Sequence, residues 1–441
     1  MVEKVVYPTF QKVLHVFPGE AAISSMTGVP LCTLNAEGGE VFELCDGEHS
    51  FDEICKILAD RHRDNIIEVR GFVSNFLEEG EHRGYVKFCK HPVDAHEMVK
   101  GSREFWVPTL LSVELTYRCN LKCKHCFIDA GLPKSNEMQY TQLISILDEF
   151  SSLGTSVVSL TGGEPLMHPE FFRILDFCDS RFLRVEILTN GCLIDKSVSR
   201  RLATYKKIGA VQVSLNGATA KTHDSMCGPN SFERATNAIA LLVEEGMPVT
   251  MTMLVTPSNV MEMEDTIKLG KRLGVKEVTI GMVAPVGRAR DLGWEPTLEL
   301  VKIVEREKSD LAERYSHDGF YIRSRREFSN TEIEKLETSI GIKRKNCGAG
   351  YKFLTLSPTG GVRPCNLMFL SMGNVLGRGV LPLLKSSIVT FFHDLTNPNP
   401  KICGDCEKID QCFGCHSQGL IWSKRIVNCK WKEQWTRLPK P

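Results

Sequence analysis

Cys119-Asn-Leu-Lys-Cys123-Lys-His-Cys126 brings three thiols together in eight residues, directly after the apolar run Leu111-Ser-Val-Glu-Leu115. A strand that ends in such a loop places its ligands where a strand-and-helix barrel keeps its active groups, at the C-terminal ends of the strands. Four cysteines normally hold the four irons of a 4Fe-4S cube, so a loop with three leaves one iron open to another ligand.

Working outward, the same alternation recurs. Apolar runs stand at Val157-Val-Ser-Leu160, Val185-Glu-Ile-Leu188, Val211-Gln-Val-Ser-Leu215, Val249-Thr-Met-Thr-Met-Leu254 and Val278-Thr-Ile-Gly-Met282, six strands with the first. Between them lie amphipathic segments such as Gln142 to Leu153, Glu170 to Phe177, Phe232 to Glu245 and Glu262 to Leu273. Strand followed by helix, repeated, implies a parallel sheet closed toward a barrel.

The chain has 441 residues, enough for two or three domains;. Lys plus Arg and Asp plus Glu balance at 54 each, so no overall field recommends nucleic acid or an acidic membrane as partner;. No apolar run approaches the roughly 20 residues of a membrane-spanning helix, and Met1-Val-Glu-Lys-Val5 lacks the layout of a signal peptide, so a cytoplasmic address is expected;. Seventeen cysteines in a reducing compartment read as metal ligands sooner than as disulfides;. Cys32, Cys45, Cys55, Cys89, Cys178 and Cys192 fall in apolar stretches and read as core residues;.

The C-x3-C-x2-C spacing resembles the signature of the radical SAM superfamily, and the resemblance spans about Leu110 to Ala289. It implies that Cys119, Cys123 and Cys126 hold a 4Fe-4S cluster. S-adenosylmethionine (SAM) would chelate the open iron and be cleaved reductively to a 5′-deoxyadenosyl radical. Thr161-Gly-Gly-Glu-Pro165 is similar to the family's GGE turn, which assigns Gly162, Gly163 and Glu164 to the methionine ammonium;. Leu188-Thr-Asn-Gly191 and Ser214-Leu-Asn-Gly217 resemble the positions that meet ribose and carboxylate, implicating Asn190 and Ser214, although Asn-Gly also serves simple turns;. His125 stands where relatives place an aromatic residue near adenine, and Pro285-Val-Gly-Arg288 resembles the exit of the sixth strand. Relatives commonly read His-Asp-x-x-Arg-Gly, the arginine pairing with the SAM carboxylate. Here His223-Asp-Ser-Met-Cys-Gly228 puts Cys227 at that place, and a thiol does not replace a guanidinium;. Either another basic residue, Arg234 being the candidate, serves that carboxylate, or SAM binding relies on the cluster and hydrogen bonds; Cys227 reads as a plain buried cysteine sooner than as a redox-active or substrate-linked thiol;.

Two further regions flank the barrel. Leu34 to Phe88 resembles the PqqD-like RiPP recognition elements, winged-helix modules that bind a precursor's leader along a sheet edge; a generic winged helix or dimerisation domain fits the same periodicity;. Its strands precede its helices, and Ser50 is the expected N-cap of a helix over Ser50 to Leu58;. Toward the C-terminus, seven cysteines run as Cys347-x12-Gly360-x4-Cys365, then Cys403-x2-Cys406-x5-Cys412-x2-Cys415 and Cys429. This resembles the SPASM extension, with one residue fewer before its sixth cysteine. By that likeness Cys347, Cys365 and Cys415 hold one auxiliary 4Fe-4S cluster, and Cys403, Cys406, Cys412 and Cys429 another. Paired C-x2-C knuckles also suit zinc.

The expected architecture is therefore α/β: a partial (β/α)6 TIM-type barrel with an N-terminal winged helix and a C-terminal cysteine-rich SPASM extension. Its boundaries are 1–95, 105–290, a helical connector 291–345 without recognisable chemistry, and 346–441. The resemblance implies three 4Fe-4S clusters, SAM, a precursor peptide and a flavodoxin or ferredoxin-type electron donor. The product would be a peptide oxidised or crosslinked through a thioether or carbon-carbon bond. A folded protein or a small precursor such as a tetrapyrrole is the alternative substrate, and a non-catalytic iron-sulfur or zinc scaffold the alternative of another class. No side chain is assigned as catalytic acid or base.

Overall fold

The computed structural model describes residues 6–93, 98–134, 136–294, 296–317, 319–324, 346–412 and 415–439. They form two compact units, one up to Thr109 with Ser152–Thr155, the other comprising the rest from Leu110 onward.

In the first unit, β2 (Val13–Phe17), β3 (Glu20–Ser24) and β4 (Pro30–Asn35) form an antiparallel meander, and β6 (Val99–Gly101) joins β2 in parallel, giving the order β4-β3-β2-β6. β1 (Tyr7–Phe10) pairs with β5 (Val86–Cys89) in a separate ribbon. Helices α1 (Ala36–Glu43), α2 (Phe51–His62) and α3 (Ile66–His82) lie between β4 and β5 in the chain. Ser50 caps α2 as expected, its hydroxyl accepting from Glu53 N–H while the Glu53 carboxylate accepts from Ser50 N–H;. Leu14, Ile23, Phe42, Ile54 and Leu77 meet in one core. Because β6 completes this sheet, the first unit extends past residue 95.

The second unit is built on one sheet of order β13-β12-β11-β10-β9-β8-β7-β14-β15-β16. The six strands read from the sequence appear as β7 (Leu110–Glu114), β8 (Val157–Thr161), β9 (Arg184–Thr189), β10 (Ile208–Ser214), β11 (Val249–Val255) and β12 (Glu277–Met282), every neighbouring pair parallel. Connecting helices are α4 (Tyr140–Leu153), α5 (Phe171–Arg181), α6 (Lys196–Leu202), α7 (Ala220–Cys227), α8 (Ser231–Glu244) and α9 (Met263–Arg272).

The region read as a helical connector holds α10 (Leu298–Tyr315) and also β13 (Tyr321–Ser324), which adds in parallel to β12. Its four residues sit in so polar a run that the alternation is hidden; residues 325–345 lie outside the described residues. At the other edge the C-terminal region returns β14 (Phe353–Leu356) parallel to β7, followed by β15 (Gly361–Arg363) and β16 (Gly373–Asn374) antiparallel. Helices α11 (Ser387–Asp394) and α12 (His416–Ser423) follow. The cysteine-rich region is thus part of the same unit as the parallel sheet.

Leu111, Val113, Val158, Leu160, Val185, Ile187, Leu354 and Leu356 are fully buried on one face of adjacent strands. On the opposite face Thr355, Ser112, Ser159 and Glu186 stand in register, with Glu114 beside Thr161. A buried parallel strand is ordinarily apolar on both faces. The polar row marks this face as one that surrounds chemistry.

Candidate active site at the strand ends

The loop after β7 carries Cys119, Cys123 and Cys126, all half-buried. Its shape is held by contacts within the β7–α4 connection, to the end of α7 and to Arg288. Cys119 N–H donates to Gly131 O at 3.0 Å and Lys124 N–H to Met226 O at 2.9 Å. Glu137 gathers the loop's base, accepting from Tyr117 N–H at 2.9 Å and Thr116 Oγ1 at 2.8 Å. Arg288, past β12, spans it from the other side, donating from Nε to Cys123 O and from Nη1 to Ala130 O, both at 2.8 Å. Gly287 before it has φ of +59°, and a Cβ there would lie 2.2 Å from Cys126 O.

The turn after β8 runs against this loop. A Cβ on Gly163 would meet Arg118 O at 2.1 Å, so only glycine permits the approach;. Glu164 is fully buried and its carboxylate is occupied: Oε1 accepts from Thr189 Oγ1 at 2.8 Å and Leu166 N–H at 3.3 Å, and Oε2 from Asn190 N–H at 2.9 Å. Burial pushes it up to about 7, against the pull of those donors;. Asn190 in turn donates to Asn120 Oδ1 at 2.9 Å and toward Cys119 Sγ at 3.9 Å. Ser214 ends β10, half-buried. His125, Cys123 and Cys227 each present a ligand atom within 4.8 Å of the others. Arg234 is exposed.

Cys227 is buried at the end of α7 beside Cys123. The Cys227 thiol, together with burial, pushes Cys123 well above the ordinary thiol range. Burial pushes Cys119 up to about 12, with Glu164 and the loop's other thiols adding to it. Cys192 departs from its core reading: it is half-buried on the turn after β9, close enough to Cys119 and Cys123 for their charges to act on it. Cys89 is likewise half-buried, whereas Cys32, Cys45, Cys55 and Cys178 are buried.

The C-terminal thiols fall into two groups. Burial, then the neighbouring Cys415 and Cys347, pushes Cys365 up to about 12. Burial, then Cys403, Cys406 and Cys429, does the same to Cys412. Asn346 anchors the first group's base, its Nδ2 donating to the carbonyls of Phe392, His393 and Leu395 at 3.1, 3.0 and 2.7 Å. Between the loop after β7 and the β15 hairpin lies a cavity of about 430 Å³, lined by Tyr117, Phe127, Arg290, Arg363 and Phe369 among others. Arg363 pairs with the buried Glu114 and lies over the Phe369 ring.

All 17 cysteines are free thiols. Those of the loop already meet the donors a bound thiolate needs: Leu121 N–H reaches Cys119 Sγ at 3.5 Å and Ala130 N–H reaches Cys126 Sγ at 3.3 Å. N–H groups aimed at sulfur, three thiols on one loop and a glycine approach opposite them fit an iron-sulfur centre with a small polar ligand.

The sequence matches the Radical SAM superfamily over residues 113–270. It is 32% identical over 348 residues to the antilisterial bacteriocin subtilosin biosynthesis protein AlbA of Bacillus subtilis, covering 75% of this chain and 72% of AlbA. The chain belongs to the radical SAM superfamily. It is also 31% identical over 319 residues to the mycofactocin maturase MftC of Mycobacterium tuberculosis, covering 70% of this chain and 78% of MftC. Its fold resembles Streptococcus suis SuiB bound to precursor peptide SuiA, with a TM-score of 0.65 and 15% identity over 94% of this chain and 97% of SuiB. As a radical SAM enzyme it implies a 4Fe-4S cluster and SAM. Among the described residues no helix is long and apolar enough to cross a membrane. Sequence reading did not find Arg288 as the loop's clamp, nor Glu137, Asn120 or Asn216; each acts through a contact distant in sequence, and only Arg288 carried a local signal, its place after the sixth strand.

Proposed function

We propose that this radical SAM enzyme is a peptide maturase that removes hydrogen from a residue of a ribosomally synthesised precursor, oxidising it or crosslinking it. One observation carries the reading: the three-thiol loop and the Gly162-Gly163-Glu164 turn meet at adjoining strand ends, in a chain similar along most of its length to a bacteriocin biosynthesis protein and a mycofactocin maturase. When bound, the cluster and SAM supply a 5′-deoxyadenosyl radical. Cys119, Cys123 and Cys126 would hold three irons, with N–H donors steadying two of the sulfurs. Gly162 and Gly163 let their turn pack on the Thr116 and Arg118 backbone at the loop's base, beside which the ligand of the remaining iron would sit. Asn190, Ser214 and His125 would line its approach, with Glu164 holding the turns after β8 and β9 from behind, and the cavity beside Phe127 and Arg363 would receive the reacting residue.

The C-terminal groups suit a SPASM extension. Cys347, Cys365 and Cys415 would hold one auxiliary cluster, with a fourth ligand still to be found, and Cys403, Cys406, Cys412 and Cys429 the other, passing on the electron released by oxidation. A flavodoxin or ferredoxin-type protein would supply the reducing electron. The N-terminal unit would serve as a PqqD-like, winged-helix recognition element. Its sheet leaves β4 as an edge strand, and α3 exposes Ile67 and Phe72, a surface suited to a leader that adds as a strand and docks apolar side chains;.

The test uses the full chain reconstituted anaerobically with iron and sulfide. Strong reductant and SAM should give 5′-deoxyadenosine, Cys123→Ala should abolish it, and a precursor peptide should lose hydrogen by mass. A fully loaded protein that yields no 5′-deoxyadenosine would be a metal-binding scaffold instead.

A further inference from the structure

Cys227 is 4% exposed and stands outside the loop's set of three thiols. Its sulfur is gripped from one side by an amide whose orientation is fixed. Asn216 Oδ1 accepts from Leu254 N–H at 2.9 Å, which leaves Nδ2 to donate to Cys227 Sγ at 3.4 Å. Asn216 is itself held, its carbonyl accepting from Asn259 Nδ2 at 2.8 Å. From the other side the bond from Lys124 N–H to Met226 O docks the middle of the loop on the last turn of α7, bringing the Cys123 and Cys227 sulfurs within 4.8 Å. With an amide donating to its sulfur, Cys227 has its own hydrogen left to give, and the thiol within reach is that of Cys123, whose sulfur lies 3.9 Å from Cys227 O.

We propose that Cys227 donates an S–H···S hydrogen bond to the Cys123 thiolate and thereby raises the reduction potential of the cluster on Cys119, Cys123 and Cys126. The inference rests on the assignment of Cys123 as an iron ligand. An iron-bound Cys123 keeps no proton and can no longer donate to Cys227 O, so the Cys227 thiol becomes the donor of the pair. Hydrogen bonds to ligating sulfurs help to set cluster potentials, and a donor favours the reduced cluster because it carries more negative charge. Cys227 is therefore a positioning residue for electron entry. A tetrahedral single-metal site on Cys123, His125 and Cys227 would use the same atoms, but it would take Cys123 from the cluster;.

The test is an EPR-monitored reductive titration of the anaerobically reconstituted full chain, following the signal that changes on adding SAM and disappears in Cys123→Ala. Cys227→Ala and Cys227→Val remove the donor. At a fixed potential each should lower the reduced-to-oxidised ratio on the order of tenfold, which is 59 mV for one electron. Cys227→Ser keeps an O–H and should shift by less than half as much. Wild-type potential in either loaded donor-free variant overturns the proposal, as does a serine variant shifted as far as valine. So does a single zinc or iron per chain that is lost with Cys227. If the wild-type protein shows no SAM-responsive signal, the assignment of the loop itself fails, a result distinct from all of these.

Discussion

Glu164 illustrates how one residue can serve a site from inside the fold. Three donors from two turns fill its carboxylate, so it ties the end of β8 to the end of β9 before any ligand arrives. Its folded pKa, about 7, lies above the ordinary 4.5 because burial outweighs those donors. The native state therefore binds more protons than the unfolded chain between those values, and stability falls as pH rises through that window. The penalty is absent below pH 4.5 and complete above pH 7, where it amounts to about 3 kcal/mol;. Urea unfolding of cofactor-free protein across this range should show that slope, and Glu164→Gln should flatten it. A gap between the two proteins that does not change with pH would assign the slope to another group. Arg288 acts on the same loop through two carbonyls. Arg288→Ala removes two charge-assisted bonds of about 1.5–3 kcal/mol each and should release iron on gel filtration at unchanged helix content by circular dichroism;. Arg288→Lys cannot fork to both carbonyls and should retain an intermediate amount.

At the scale of elements, the central strands were legible because each is an apolar run closed by a turn, and period and punctuation agree from Leu111 to Met282. β13 and β14 were not. Tyr321–Ser324 is four residues in a polar region, and Phe353–Leu356 becomes a sheet strand only by pairing with Leu110–Val113, far back in the chain. The cysteine sets were legible for the same reason the strands were: spacing is local. Asn216, Glu137 and Cys192 gain their significance from neighbours that only folding supplies. Asn346 is another such residue. Immediately before Cys347, it closes the end of α11 through three carbonyls and accepts from Gly348 N–H and Tyr351 Oη at 2.9 and 2.8 Å. Asn346→Ala removes these five buried bonds and should cost about 3 kcal/mol;. If the C-terminal thiols hold iron as proposed, the variant should bind less iron per chain while the SAM-responsive signal stays. Equal loss from both would mean that Asn346 supports the whole unit, not the segment bearing Cys347.

At the scale of the molecule, the two units invite a division of labour, with chemistry at the strand ends of one and peptide capture on the other. The proposal makes the two functions separable by mutation. On α3 Ile67 is 77% exposed and Phe72 50%, with Ile66 exposed beside them, an apolar cluster unusual for a helix surface;. Neither Ile67 nor Phe72 belongs to the core of the first unit: Ile67→Asp should change stability by about 0.5 kcal/mol or less, and Phe72→Asp also gives up a ring contact to Phe76 worth about 0.5–1.5 kcal/mol;. Ile67→Asp and Phe72→Asp should therefore leave reductive cleavage of SAM, measured as 5′-deoxyadenosine formed without peptide, at the wild-type rate. If a leader docks on this face, each lost apolar contact is worth about 1–2 kcal/mol, so affinity for a precursor encoded in the neighbouring reading frame should fall roughly five- to thirtyfold by fluorescence anisotropy. A core peptide lacking its leader should be modified equally slowly by wild-type and variant enzymes, since neither then gains from capture. Unchanged precursor affinity in both variants would remove α3 from the recognition surface, and a parallel loss of peptide-free SAM cleavage would show that the units do not act separately.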